Sequence, residues 1–284
     1  MILTQSAEKT FRTCKRLFRH RHIDHLAWPE YVPGFEDRRE RLERGSQFHL
    51  LVKRALEGRP ITTVPDDIAV PYNRWKVLQF PPQARKLPEL ELSYPHTRLV
   101  KGETKTDILQ ARLDLLVLDS STRNVTVFDW KLGTAPNDAA ALRQDPQTIW
   151  YLFLVGAVWP RVRTIYPEFA EIEDISDRLS MTYWFAQPKK ASATSHTIQY
   201  SSEQFARDRL TVEAAVESMV DRPYDEYVQT DDLALCAACQ YRSLCQRAPG
   251  PLQRIEEEVA DLIAWDLDLD ATDASEDFVT NEGR

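Results

Sequence analysis

The chain has 284 residues, 43% of them hydrophobic and 28% charged, the proportions of an ordinary soluble globular protein with room for a substantial core. Its longest apolar run, 148–159, is about twelve residues, too short to cross a bilayer, and the N-terminus shows no apolar run of signal-peptide length; the expectation is a cytoplasmic protein with no membrane partner. The formal charge of −8 does not exclude a polyanionic ligand, because residues 251–284 carry eleven acidic residues against Arg254 and Arg284, a net −9, and leave +1 on the other 250.

The start of the chain is basic: Lys9, Arg12, Lys15, Arg16, Arg19 and Arg21 are joined by His20 and His22. Such a segment can neutralise phosphates. A loop rich in Trp, Pro and Gly follows at 28–35. Residues 36–57 are predicted as a helix, with Phe48, Leu51, Val52, Ala55 and Leu56 at helical spacing and Gly58 as its stop. Residues 59–88 hold six prolines and no clear period, which predicts a loop interrupted by short helices.

Strands are predicted around 89–94, at 112–118 and at 125–131, the last two joined by the turn-prone DSSTRN. Asp145–Pro146 fits an N-cap and first helical position, opening a helix to about residue 159. A strand at 181–185, a partner near 197–200 and a helix over 203–220 complete the pattern. The order predicts a mixed α/β fold with one central sheet flanked by helices. The chain divides into a basic N-terminal segment (1–35), a core (36–225), a three-cysteine segment (226–250) and an acidic, solvated tail (251–284).

Cys236, Cys239 and Cys245 lie within CAACQYRSLC, and Cys14 stands 222 residues before Cys236. In a cytoplasmic protein clustered thiols bind metal more often than they form disulfides. Four thiolates suit tetrahedral zinc or a 4Fe–4S cluster. Zinc ribbons usually supply two local pairs, and one plus three favours the cluster; the alternative is that Cys14 is an unrelated buried thiol. A centre using all four would tie the ends of the fold together.

The candidate chemistry lies on the hairpin. In VTVFDWK, alternation puts Asp129 and Lys131 on one face with Val125 and Val127; in RLDLLVL, Asp114 shares its face with Leu116 and Leu118. If the turn closes on a Leu118–Val125 pair, antiparallel register sets Asp114 opposite Asp129, with Cβ atoms roughly 5 Å apart. Two such carboxylates repel unless a cation lies between them. Mg²⁺ or Mn²⁺, with Lys131 alongside, meets that need and suits phosphodiester cleavage. The bland alternative is a surface strand of alternating charge.

Beyond these local patterns, the sequence resembles the RecB-like exonucleases of the PD-(D/E)XK superfamily, including the CRISPR-associated exonucleases and AddB-type nuclease domains. RGSQFHLLVKRAL resembles the family's Gly-x-x-x-His helix, with Gly45 and His49. ARLDLLVLD resembles the strand with the metal-binding aspartate, Asp114. VFDWKLG resembles the D/E-x-K strand, with Asp129 and Lys131, and QTIWY the Gln-x-x-x-Tyr motif, with Gln147 and Tyr151. FRTCKRLF and CAACQYRSLC resemble the iron–sulfur ligand segments. Ala111 departs from the glycine often found before Arg-x-Asp.

The resemblance implies a restriction-endonuclease-like core with an iron–sulfur-stapled subdomain. It implies metal ligation by His49, Asp114, Asp129 and the main-chain carbonyl of Trp130. Lys131 is then catalytic, Gln147 and Tyr151 lie near the DNA, and Cys14, Cys236, Cys239 and Cys245 hold a 4Fe–4S cluster. The activity implied is Mg²⁺- or Mn²⁺-dependent digestion of DNA from single-stranded ends, in repair, recombination or spacer processing, beside a helicase or CRISPR integration proteins. The competing reading is a DNA-binding or interaction module without catalysis, stabilised by iron–sulfur or zinc. Whether Glu89 or Glu91 is the acid of the first core strand stays open.

Overall fold

A computed structural model describes residues 1–27, 36–136, 138–187, 191–237 and 239–247. The loop expected at 28–35 and the acidic tail lie outside the described residues. The described residues form two compact units, one of Met1–Lys9 with Gln47–Pro223 and the other of the described residues within Thr10–Ser46 and from Tyr224 onward.

The first unit holds a six-stranded mixed sheet. Its strands are β1 (Ile2–Leu3), β2 (Arg85–Val100), β3 (Glu103–Asp119), β4 (Asn124–Lys131), β5 (Leu179–Phe185) and β6 (Thr194–Gln199). β2 runs antiparallel along β3 from Arg85↔Leu118 to Val100↔Glu103. On the other edge of β3, β1 pairs parallel at Ile108 and Leu109, while β4 pairs antiparallel from Leu115↔Phe128 to Asp119↔Asn124. Residues 110–114 of β3 therefore border a gap in the sheet. Beyond β4 the sheet continues with β5 parallel and β6 antiparallel.

The two faces follow from alternation. On one, Leu115, Val117, Trp130 and Trp184 pack against Phe48, Leu51 and Val52 of α3 (Glu36–Leu56) and Ile68, Tyr72 and Trp75 of α4 (Asp66–Trp75). On the other, Leu116, Leu118, Val125, Val127, Met181 and Tyr183 are buried. That face meets α6 (Pro146–Ile165), which Asp145 caps by accepting from the Gln147 N–H at 2.8 Å. Between β4 and α6 lies α5 (Ala139–Arg143), and α7 (Ser202–Val220) packs on α6. The helix α6 is buried as far as Trp159, where the apolar run ends, and continues past its predicted end at about residue 159 as a largely exposed final turn to Ile165. Pro160 is accommodated within it.

The strands β2 and β3 outrun the predicted 89–94 and 112–118 because they continue outward as a two-stranded ribbon. Its outer half is mostly polar and lacks a hydrophobic period. Gly102, at φ +84°, makes the ribbon's turn. β1 is only two residues long and carries no sequence signal.

The second unit contains the end of α1 (Gln5–Thr13), α2 (Lys15–Phe18), a π-helical turn at Arg19–Ile23 and α8 (Leu233–Ala237). Phe18 stacks on Tyr227 at 6.1 Å, and the Arg16 Nε donates to the Tyr227 carbonyl at 2.8 Å. Among the described residues no helix is long and apolar enough to cross a membrane.

Candidate active site

The gap in the sheet is where the predicted hairpin stops being a ladder. The pairing Leu118↔Val125 and Leu115↔Phe128 is the expected register. One step further it would set Asp114 against Asp129 and Trp130 against Leu113. There the strands part. The Asp114 carboxylate enters the gap, and its Oδ2 accepts the backbone N–H of Trp130 at 2.7 Å. Its Oδ1 lies 3.1 Å from Nδ1 of His49 on α3, whose neighbour Phe48 is anchored in the core.

Glu89 completes this group. Single ligand atoms from His49, Glu89 and Asp114 lie within 4.8 Å of one another. The register of β2 puts Glu89 opposite Asp114, whereas Glu91 faces Arg112 and binds its guanidinium at 2.8 Å. Glu89 and Asp114 do not pair in the ladder, and Glu89 has φ +50°, a left-handed conformation that costs a non-glycine residue roughly 1–2 kcal/mol. Strain of this kind concentrates at functional sites.

Asp129 approaches from β4, only 2% exposed. Lys131 Nζ lies 2.7 Å from its Oδ2, and Gln147 Nε2 donates to its Oδ1 at 2.9 Å. Tyr183, the register partner of Asp129 on β5, is buried and bonded through its hydroxyl to Thr148 at 2.9 Å. Tyr151, one turn after Gln147 on α6, is buried close enough to Tyr183 to influence its ionisation.

The electrostatics divide the acids. Burial pushes the Asp114 carboxyl up, but His49, Lys131 and the Trp130 N–H outweigh it and hold the group below the usual carboxylate range. Burial and the neighbouring Asp114 push Glu89 up to about 7, against opposition from His49, Arg112 and Lys53. Asp129 is also raised, first by burial, with Lys131 opposing and Asp114 adding to the rise. Three acids and one imidazole sharing a small volume need positive charge before all three ionise. Oxygen and imidazole donors at this spacing fit a divalent cation such as Mg²⁺ or Mn²⁺.

A family model of the PD-(D/E)XK nuclease superfamily matches residues 2–246. The chain belongs to that superfamily. Asp114, expected as the metal-binding aspartate, lies on β3, and the expected D-x-K run Asp129-Trp130-Lys131 ends β4. No curated protein matches it. Among solved structures, one titled "Crystal structure of SSO0001" aligns with 87% of this chain and 86% of its own at 12% identity, with a TM-score of 0.42, too low to support an argument about fold or function.

Of the residues expected from the sequence, the structure brings together His49, Asp114, Asp129, Lys131 and Gln147. Trp130 turns its N–H to Asp114, and its indole is buried on the opposite face against Trp75 and Trp184. Sequence reasoning left Glu89 level with Glu91, and only the β2–β3 register separates them.

The cysteines all belong to the second unit. The thiols of Cys236, Cys239 and Cys245 are raised first by burial, Cys239 to about 11. Cys236, Cys239 and Cys245 are each raised further by Cys14. Arg16, Arg19, Arg21 and Arg247 lie near enough to oppose the rise at one or more of these thiols. Among the described residues no three of the sulfurs come within 4.8 Å of one another. Ligands of one zinc ion at about 2.3 Å would stand ~3.8 Å apart.

Proposed function

We propose that this protein is a metal-dependent deoxyribonuclease, an exonuclease acting on single-stranded ends, of the RecB-like, iron–sulfur-bearing kind. The observation that carries the nuclease reading is the group at the sheet gap. His49, Glu89 and Asp114 offer ligand atoms within 4.8 Å of one another, while Asp129 and Lys131 approach the same Asp114 from the adjoining strand.

His49, Asp114 and Asp129 would hold the ion, with the carbonyl of Trp130, and Glu89 joins them. The ion supplies Lewis-acid polarisation of the scissile phosphate and lowers the pKa of attacking water. The protein's own residues do the rest. Lys131, held by Asp129, presents an ammonium to the charge that accumulates on the phosphoryl oxygens. Gln147 fixes the rotamer of Asp129. The N–H of Trp130 keeps Asp114 ionised and oriented.

The basic N-terminal segment suits a DNA backbone. The preference for single-stranded ends rests on the resemblance of the Gly-x-x-x-His and Gln-x-x-x-Tyr motifs, as do roles in repair, recombination or spacer processing beside a helicase or integration proteins. The 4Fe–4S cluster held by Cys14, Cys236, Cys239 and Cys245 rests on the one-plus-three cysteine spacing and on the resemblance of the two cysteine segments.

Incubation of end-labelled single- and double-stranded DNA with Mg²⁺, Mn²⁺ or chelator tests the reading. Stepwise shortening of the single strand that needs the ion and vanishes in Asp114→Ala supports it. Cleavage that persists in chelator, or tight DNA binding with no cleavage under any metal, overturns it in favour of a binding module.

A further inference from the structure

One buried side chain of the second unit is positioned like a metal ligand although it belongs to none of the motifs above. His20 lies in the π-helical turn Arg19–Ile23 and is 5% exposed. Its Nε2 is 4.0 Å from the Sγ of Cys245. Its Nδ1 is 3.4 Å from Oδ2 of Asp24. That carboxylate is itself held, by Arg19 Nε at 3.2 Å and by the Tyr224 hydroxyl at 3.0 Å.

The ring and backbone of His20 are fixed as well. The imidazole packs on Tyr241 at 5.2 Å, and the Tyr241 hydroxyl donates to the Leu26 carbonyl at 2.9 Å. The Leu26 N–H returns to the His20 carbonyl at 2.9 Å. The π turn, closed by the Asp24 N–H on the Arg19 carbonyl at 2.8 Å, is a costly conformation that recurs at functional sites.

A carboxylate facing Nδ1–H favours the tautomer whose Nε2 lone pair is free, and this is how metal-ligating histidines are oriented. Here the lone pair faces a cysteine sulfur. With bonds of about 2.0–2.1 Å to imidazole nitrogen and 2.3 Å to thiolate sulfur, two donors 4.0 Å apart reach one metal position.

We infer that His20 is a fifth ligand of the cysteine centre, sharing one metal position with Cys245. This rests on the reading that the four cysteines hold a metal centre. In such a centre Nε2 of His20 would take the position that the Cys245 thiolate vacates, an exchange of one two-electron donor for another with no change of oxidation state. His20 would thereby retain the metal when that thiolate is displaced. In an iron–sulfur centre imidazole in place of thiolate would raise the reduction potential.

The test uses the full chain purified without oxygen. Iron and zinc content are measured first, then the rate of metal release to a chelator. His20→Leu should release metal several-fold faster than wild type from a centre of equal starting content. Cys245→Ala should keep its iron and show nitrogen hyperfine coupling in pulsed EPR of the reduced protein, whereas Cys14→Ala should lose it. The double variant H20L/C245A should lose both iron and coupling.

An H20L release rate equal to that of wild type overturns the assignment, as does iron in C245A without nitrogen coupling. If C245A is insoluble, the H20L release rate decides alone. Wild-type protein with neither iron nor zinc overturns the metal centre itself, a failure separate from that of His20.

Discussion

The N–H of Trp130 donates to the side chain of Asp114 at 2.7 Å, where an unbroken ladder would have paired it with backbone of β3. One carboxylate thus closes a break in the sheet and lies beside His49 and Glu89. Asp114→Ala should abolish cleavage, by at least about 10²-fold, and should also cost roughly 1–3 kcal/mol because a buried N–H loses its acceptor. Asp114→Asn retains an acceptor and should lose the activity at smaller cost. Urea unfolding beside a cleavage assay separates the two. Equal stability of D114A and wild type would remove Asp114 from its structural role.

Glu89 makes the metal-free protein sensitive to pH. Its folded pKa is raised from an ordinary 4.5 to about 7, so the folded state holds the proton more tightly. Its contribution is complete below the unfolded value and is lost as pH rises through about 7, on the order of 1–3 kcal/mol. Chelator-treated wild type should therefore lose stability between about pH 4.5 and 7 relative to Glu89→Gln. Denaturant midpoints across that range check it, and parallel curves would refute the assignment.

Metal binding should run the other way. An ion favours the ionised forms of Glu89 and Asp129, both of which burial pushes up. Affinity for Mn²⁺ should rise with pH toward neutrality, with protons released on binding. Calorimetry in buffers of different ionisation enthalpy measures that release. A pH-independent affinity with no proton release would show that these acids are not ligands.

Gln147→Leu removes the 2.9 Å bond that holds Asp129. Loss of a partner that orients a ligand typically costs about 10–100-fold, so cleavage should fall by that factor while DNA binding is retained. Lys131→Ala should fall further, because it removes the charge 2.7 Å from Asp129 and leaves that acid more difficult to ionise. Activity in Q147L matching wild type would reassign Gln147 to packing.

Gly156 of α6 faces Phe205 of α7. A methyl group there would lie 2.8 Å from the Phe205 ring, which is stacked on Phe153 at 5.7 Å. Gly156→Ala should lower stability by about 1–3 kcal/mol through overpacking and leave cleavage at low temperature unchanged. Thermal unfolding measures the loss, and a melting temperature equal to wild type would show that Phe205 yields freely.

Much of the site could be derived from residues close in the chain. The register that points Asp114 toward Asp129 follows from strand alternation and a six-residue turn, and both are local. The N-cap Asp145 and the helix carrying Gln147 are local too, as is the apolar stripe that places Phe48 in the core and His49 beside it. In each case the determining physics acts over a few residues: backbone period, turn closure and capping.

The tertiary structure decided what depends on partners distant in sequence. Glu89 and Glu91 stand on the same strand, and only pairing with β3 sets one against Asp114 and gives the other to Arg112. The break in the sheet exists because β1 and β4 share one edge of β3 without meeting, a consequence of closing the chain from its first residues onto Ile108. His20 gained meaning only beside Cys245, 225 residues away. Side-chain chemistry and local periodicity are written along the chain, but the distance between two charges is set by the packing of the whole, and it is that distance which determines whether they bind a metal or repel.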